Sequence, residues 1–400
     1  MRLSPLTDRI RNEGSRAWAI HSRAIDRQRR GDDVIVLSVG DSDTGTPPAV
    51  VETAKRSLDS GRTHYTPVAG EPWARRAIAA AHERRTGAAT APEDIIVTTG
   101  AQNALFSAAM CLLGPGDEVI VPAPMYATYE AVFGACGATM IVAPSSADSG
   151  FRTDPRAIAA AVSSRTKAIF VTTPHNPTGV VLDRAELAAI SDICITRDLW
   201  LLSDEVYWSL VYDRPHTSAR SLPDMIERTV VISSLSKSHS MTGWRMGWAV
   251  VPPQLAEAMS NLLLCTSYGL PPFVQDTVPV ALAEDDTSAT DLCARFRARR
   301  DLVCDNLGGI DGLVARKPEG GMFVMADIRG TGVGSEVFAN GLLDRYGVSL
   351  LAGEGFGGGA EGFVRISLSA PEDRLVEACR RIAAFVAEGA GSWSAHHMRG

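Results

Sequence analysis

The chain lacks a cysteine pattern: its seven cysteines are odd in number and include no C-x-x-C pair, so neither a disulfide framework nor a zinc site is expected. It also lacks an excess of positive charge. The formal net charge is −7, which provides no general attraction for nucleic acid or an anionic membrane, so any phosphate site has to be local. Long apolar runs are missing too. No stretch reaches membrane-spanning length, and the opening MRLSPLTDRIRNEGSRAWAIHSRAIDRQRRGDD alternates charge with apolar residues where a secretion signal would show an uninterrupted apolar core. The cytoplasm is therefore the expected compartment, with the cysteines reduced and mostly buried. There is no internal repeat or low-complexity block, and the paired histidines of the tail GAGSWSAHHMRG are too weak a signal to predict a metal site.

What is present fits a large soluble protein. Four hundred residues exceed what one hydrophobic core normally fills, so one large domain with a smaller one, or two comparable domains, is expected. From Asp94 the chain alternates short β-rich runs with helical patterns: DIIVTTG, AQNALFSAAMCLLG, DEVIVP, a segment starting at MYATYEAVFGACG, then TMIVAP. A helix around Pro155–Val162 leads to KAIFVTTP, the segment Arg184–Arg197 leads to LWLLSDEVY, and RTVVISSLS precedes GWAVVP. Apolar runs of this length, spaced by helices, predict a largely parallel sheet of the α/β class, with ligands at the carboxyl ends of its strands. After LPPFVQD the character changes to long charged helices, strand-like GMFVMADI, GVSLLAG and FVRISLS, and a last helix Glu372–Glu388. This predicts a smaller α+β unit to which the first 45 residues return.

Several polar motifs fall at the predicted strand ends. SSLSKSHSMTGWRMGW places Lys237 in a serine-rich turn after an apolar run and Arg245 between Gly243 and Gly247. Alone, such a turn reads as solvated charge; in company it reads as a reactive amine beside an anion site. TTGAQNALF puts Gly100 after a strand and Ala101–Gln102 at a helix start, either a plain tight turn or a cradle of free N–H groups for an anion. TTPHNPTG holds Asn176 in a polar turn. In SDEVY, Asp204 and Glu205 end an apolar run, and a carboxylate buried there requires a cationic partner.

In family order, the set N-P-T-G, D-E-V-Y, S-x-S-K and G-x-R-x-G resembles the class I/II aminotransferases, fold-type I enzymes that use pyridoxal 5′-phosphate. The resemblance runs from about Leu37 to Ala384, and the stretches PMYATYEAVFGACGA, SLSKSHSMTGWRMGW and GGMFVMADIR look like the arginine–pyruvate transaminases among them. It implies a mostly parallel seven-stranded sheet flanked by helices in a large domain, 46–276, and a small α+β domain made of 1–45 and 277–400. Lys237 is then the residue whose amine bonds the cofactor aldehyde and later carries the proton. Asp204 pairs with the protonated pyridine nitrogen, and Tyr207 with Asn176 hydrogen-bonds the phenolic oxygen. Gly100, Ala101, Gln102, Ser234 and Arg245 match the phosphate cradle, and Tyr126 the aromatic stacked on the ring. Gly40, Asn176 and Arg365 match the site of the substrate α-carboxylate. Tyr65 matches a tyrosine that reaches the neighbouring subunit's phosphate, so a homodimer with shared sites is implied. Pro124 and Pro177 fall where relatives carry cis peptide bonds. The implied partners are a small amino acid and a 2-oxo acid, with no metal, nucleic acid or membrane.

Two departures bear on substrate. Aspartate enzymes of the family carry a second arginine three positions before a tyrosine; here that position is Cys265, before Tyr268, which disfavours a dicarboxylate and leaves a basic or neutral donor, arginine among them, with pyruvate as acceptor in ping-pong half-reactions. The usual G-x-P-D-F is GDSDTG, with Ser42 and Thr44 replacing the proline and an aromatic wall, so a wider or more polar pocket is expected. Asp41 or Asp43 either pairs with a guanidinium or is merely solvated. The same cofactor set also serves elimination, substitution, racemisation or oxidation. A cofactor-sensing transcription regulator is disfavoured by the few residues before Gly40 and the acidic charge. A nicotinamide dehydrogenase is disfavoured because GEGFGG leads into a strand and does not open a helix.

Overall fold

The structure is a computed structural model that describes residues 2–10, 14–283 and 287–389, so the tail histidines His396 and His397 lie outside the described residues. Among the described residues no helix is long and apolar enough to cross a membrane. After a short strand β1 (Ile35–Val36), the β-rich runs become β2 (Ile95–Thr99), β3 (Glu118–Pro122), β4 (Thr139–Ala143), β5 (Thr166–Thr172), β6 (Trp200–Asp204), β7 (Thr229–Ser234) and β8 (Met246–Val250). They form one sheet in the order β2-β8-β7-β6-β5-β3-β4, parallel throughout except that β8 runs antiparallel to both neighbours. This is the α/β fold-type I architecture. Alternate side chains serve opposite faces, as a two-residue period requires. Val230 and Ile232 join one core with Phe170 and helix residues Ala104 and Ala108, while Val231 joins another with Trp248, Ile78 and Val278.

The helices start where local chemistry allows. Helix Arg184–Arg197 opens with Asp183 accepting from the Glu186 N–H while Glu186 caps back, and it stops at Asp198 in the left-handed region. The segment beginning at Met125 is helical only over Tyr129–Ala135.

The second half builds an antiparallel sheet ordered β12-β13-β10-β9, from β9 (Val314–Ala315), β10 (Phe323–Asp327), β12 (Leu351–Ala352) and β13 (Phe363–Ser367), packed with helices Ser288–Leu307, Ser335–Tyr346 and Glu372–Ala387. The run GVSLLAG, which reads as one strand, is split: β11 (Val348–Ser349) pairs in parallel with β1, and β12 turns to β13. Its two halves satisfy different edges, one of them the returning N-terminal segment. Among the described residues three X-Pro bonds are cis, at Pro124 and Pro177 as expected and also at Pro174.

Candidate active site

Register brings the polar motifs to one edge of the large sheet. Thr172 lies opposite Asp204, Asp204 opposite Ile232, Ser234 opposite Gly247 and Thr99 opposite Met246. The turns that follow β2, β5, β6 and β7, and the turn that precedes the antiparallel β8, therefore share one rim. They enclose a cavity of about 220 Å³ lined by Gly40, Ala101, Gln102, Tyr126, Asn176, Asp204, Tyr207, Ser234, Lys237, Arg245 and Arg365. A second cavity of about 240 Å³, lined by Phe151, Arg316, Met325 and Phe363 among others, is slightly larger but contains none of these groups. Chemistry marks the site where size does not.

Lys237 Nζ donates to the Gly40 carbonyl at 2.6 Å. Burial lowers its pKa to about 8; Arg365 and Arg245 push the same way, while Asp41 and Asp204 oppose. Asp204 is 8% exposed, accepts from the Tyr129 hydroxyl at 3.0 Å and from the Val206 N–H at 3.2 Å, and is raised to about 6 by burial against those donors and Lys237. Tyr129, which also meets Thr172 Oγ1 at 3.0 Å, was not singled out in the sequence. Its three-residue offset from Tyr126 on a helical pattern was the available signal.

Arg365 is 1% exposed in β13 and is held from four sides. It donates to Asn176 Oδ1 and to the Ser38 carbonyl, both at 2.9 Å, and its guanidinium lies over the rings of Phe323 at 3.9 Å and Phe356 at 4.7 Å. Among the described residues its Nε–H has no hydrogen-bond partner. Burial lowers it to about 10, so it stays charged at neutral pH. Asn176 also hydrogen-bonds the Tyr207 hydroxyl, whose pKa burial raises.

The anion cradle forms where β2 gives way to helix Ala101–Leu112, whose first turn has no side-chain cap. Gly100 sits at φ 82, and a Cβ there would stand 2.4 Å from Arg245 Nη2. Arg245 is anchored by Nη1 to the Thr242 carbonyl at 2.8 Å and by Nη2 to the Thr99 carbonyl at 3.3 Å. A guanidinium, a hydroxyl at Ser234 and an uncapped helix N-terminus converge there.

The sequence profile of the family described as aminotransferase class I and II matches residues 32–382. The chain belongs to the class I and II aminotransferases. It is 48% identical to an arginine–pyruvate transaminase of Pseudomonas aeruginosa over 97% of this chain and 99% of that one. Identity to an aspartate/prephenate aminotransferase of Cereibacter sphaeroides is 35%, over 93% of this chain and 96% of the other. The fold superposes on the aspartate aminotransferase of Rhizobium meliloti with a TM-score of 0.92 at 31% identity, covering 98% of this chain and all of that one. The protein is thus a transaminase dependent on pyridoxal 5′-phosphate, acting on small amino and keto acids.

The residues of this aminotransferase fit that cofactor. An amine of lowered pKa, a buried carboxylate and an anion cradle that one added Cβ would fill all border one cavity. Tyr65 is not brought there: it is 88% exposed and rests on Tyr268, ring centroids 5.0 Å apart. Cys265 is exposed and, like Tyr268, does not line the cavity. Ser42 and Thr44 do not line it either. They form a hydroxyl clasp instead: Ser42 Oγ to Thr44 Oγ1 at 2.7 Å and Thr44 Oγ1 to Ser240 Oγ at 2.8 Å. An aromatic wall comes from elsewhere, Trp18 of helix Gly14–Arg29. Asp43 is bound by Arg299 at 2.7 and 2.8 Å. Of the adjacent carboxylates, Glu205 faces Arg85 at 4.0 Å, the cation its burial demands, and burial lifts it to about 7.

Proposed function

We propose that this aminotransferase moves the amino group of an L-amino acid with a basic or neutral side chain, arginine first, to a 2-oxo acid such as pyruvate in ping-pong half-reactions. The observation that carries the reading is Lys237, an amine lowered to about 8 in a cavity between the carboxylate of Asp204 and the guanidinium of Arg365. Similarity to an arginine–pyruvate transaminase over nearly the whole chain supports the donor, and Cys265 at the position of the second arginine argues against a dicarboxylate.

When bound, the cofactor supplies an electron sink for the charge left as the substrate Cα–H breaks. The chain's own groups do the rest. Lys237, neutral above about pH 8, takes that proton and returns it, and Gly40 orients its nitrogen. Asp204, oriented by Tyr129, holds the ring nitrogen charged, and Tyr207 with Asn176 donates to the phenolic oxygen. Tyr126 would cover the ring, Gly100, Ala101, Gln102, Ser234 and Arg245 would hold the phosphate, and Arg365 with Asn176 and Gly40 would seat the α-carboxylate. Tyr65, solvent-facing here, serves a second subunit's phosphate in a homodimer. The functional division is 46–276 against 1–45 with 277–400, and the compartment is the cytoplasm.

A panel of amino acids offered with pyruvate tests this. Arginine should give its 2-oxo acid and alanine in equal amounts. Release of ammonia without alanine overturns transamination of that donor.

A further inference from the structure

The α-carboxylate end of the cavity is set by Arg365, buried between two phenylalanines, and Lys237 lies beside it. A donor's side chain is then left the remaining wall, where Trp18, Val39 and Thr242 line the cavity. The charges near that wall are unequal. Arg299 is consumed by Asp43, and Arg245 is tied to two carbonyls in the anion cradle. Cys265 lies outside the cavity. Among the described residues, the cations near an acidic side chain would thus be Arg245, already committed to the anion cradle, and Arg299, already paired.

A carboxylate stands just outside this lining, joined to it through two lining residues, Gly40 and Thr242. Asp41 follows Gly40, whose carbonyl holds Lys237, and its Oδ1 accepts from the Thr242 hydroxyl at 2.7 Å. It is exposed, forms no ion pair among the described residues, and lies near enough to Lys237 to act on its charge. Thr242 fixes the carboxylate while leaving Oδ2 uncommitted, and Trp18 offers an indole on which the methylene stem or the cation of a long basic side chain can rest.

Building on the aminotransferase reading above, we propose that Asp41, held by Thr242 at the rim of the cavity, is the carboxylate that selects a cationic side chain on the amino donor. It hydrogen-bonds the guanidinium or ammonium of the donor directly, and it repels acidic side chains.

The test compares L-arginine with L-citrulline, which has the same shape but a neutral urea head, in wild-type holoenzyme and in Asp41→Asn and Asp41→Glu. Removing the charge also lowers the Lys237 pKa for every donor, so the quantity read is the arginine-to-citrulline ratio of kcat/KM. Wild type should favour arginine, Asp41→Asn should lower the ratio about two- to fivefold through KM, as befits an exposed pair, and Asp41→Glu should retain most of it. No preference in wild type, or an unchanged ratio in Asp41→Asn, overturns the proposal. A second measurement is independent of turnover: 5-guanidinopentanoate has no α-amino group, and calorimetry should show it binding about two- to fivefold more weakly to Asp41→Asn, with pentanoate unaffected. If neither donor is converted by wild type, the reading of the reaction fails while this binding comparison still decides Asp41; equal affinity for both proteins rejects it.

Discussion

At Lys237, burial disfavours the ammonium form and two guanidinium groups add to the effect, so the amine sheds its proton near pH 8, where an exposed lysine holds it past 10. The sign is definite: a lowered pKa means the nucleophilic form grows as pH rises through about 8. Covalent capture of pyridoxal 5′-phosphate by cofactor-free enzyme, followed by borohydride trapping and mass spectrometry at Lys237, should accelerate through that pH and then level. A rate still climbing beyond pH 10 contradicts it. Asp204 is raised to about 6, so its carboxyl is protonated below that pH and capture should also weaken there. Lys237→Ala should remove the trapped adduct and lower turnover by at least about 10³-fold, and turnover at the wild-type level would refute the assignment. Tyr129→Phe deletes the hydroxyl donor to a buried carboxylate, so the cofactor dissociation constant should rise about tenfold, in keeping with a charged hydrogen bond of ~1.5–3 kcal/mol.

The elements matter through their junctions. β2 and β8 are antiparallel neighbours, which sets Gly100 and Gly247 back to back: a Cβ on Gly247 would lie 2.4 Å from the Gly100 carbonyl carbon and 2.5 Å from the Ala101 nitrogen. No side chain can yield there, because the obstacles are backbone. Gly247→Ala must therefore spread the ladder at the helix start, and it should lower the melting temperature and weaken cofactor binding together. Gly100→Ala adds a left-handed φ of 82 to a clash with the Arg245 guanidinium, a flexible group, at a cost of about 1–3 kcal/mol. Its effect should fall mostly on cofactor affinity, measured by equilibrium dialysis; an unchanged affinity would remove the cradle from that turn.

At the scale of the molecule, the cavity belongs to neither sheet alone. Lys237, Asp204 and Asn176 come from the turns of the parallel sheet, Arg365 from the antiparallel one, and Gly40 from the segment after β1. The exposed Tyr65–Tyr268 pair points to a further chain, and complementation tests it. Mixed and refolded together, Tyr65→Ala and Lys237→Ala should regain up to about a quarter of wild-type sites, because a heterodimer of the two has one intact site. Sedimentation of the wild type should give twice the 42.6 kDa chain mass. A fully active monomer rejects sharing.

The strands of the large sheet were legible because a run such as Val230-Val231-Ile232 is apolar on both faces whatever surrounds it, and Lys237, Asp204 and Asn176 stood out because polar groups must end such runs. What the sequence by itself determined was thus the α/β order of elements, which follows from local periodicity, while the cofactor and the residues that serve it were implied by the resemblance of its ordered motifs to the class I/II aminotransferases. Only the tertiary structure decided which distant groups meet: Tyr129 on Asp204, Arg85 on Glu205, Arg299 on Asp43, Trp18 at the rim, and the division of GVSLLAG between two sheets. Those contacts join residues far apart in the chain, and the burial that shifts their charges exists only once the chain has folded.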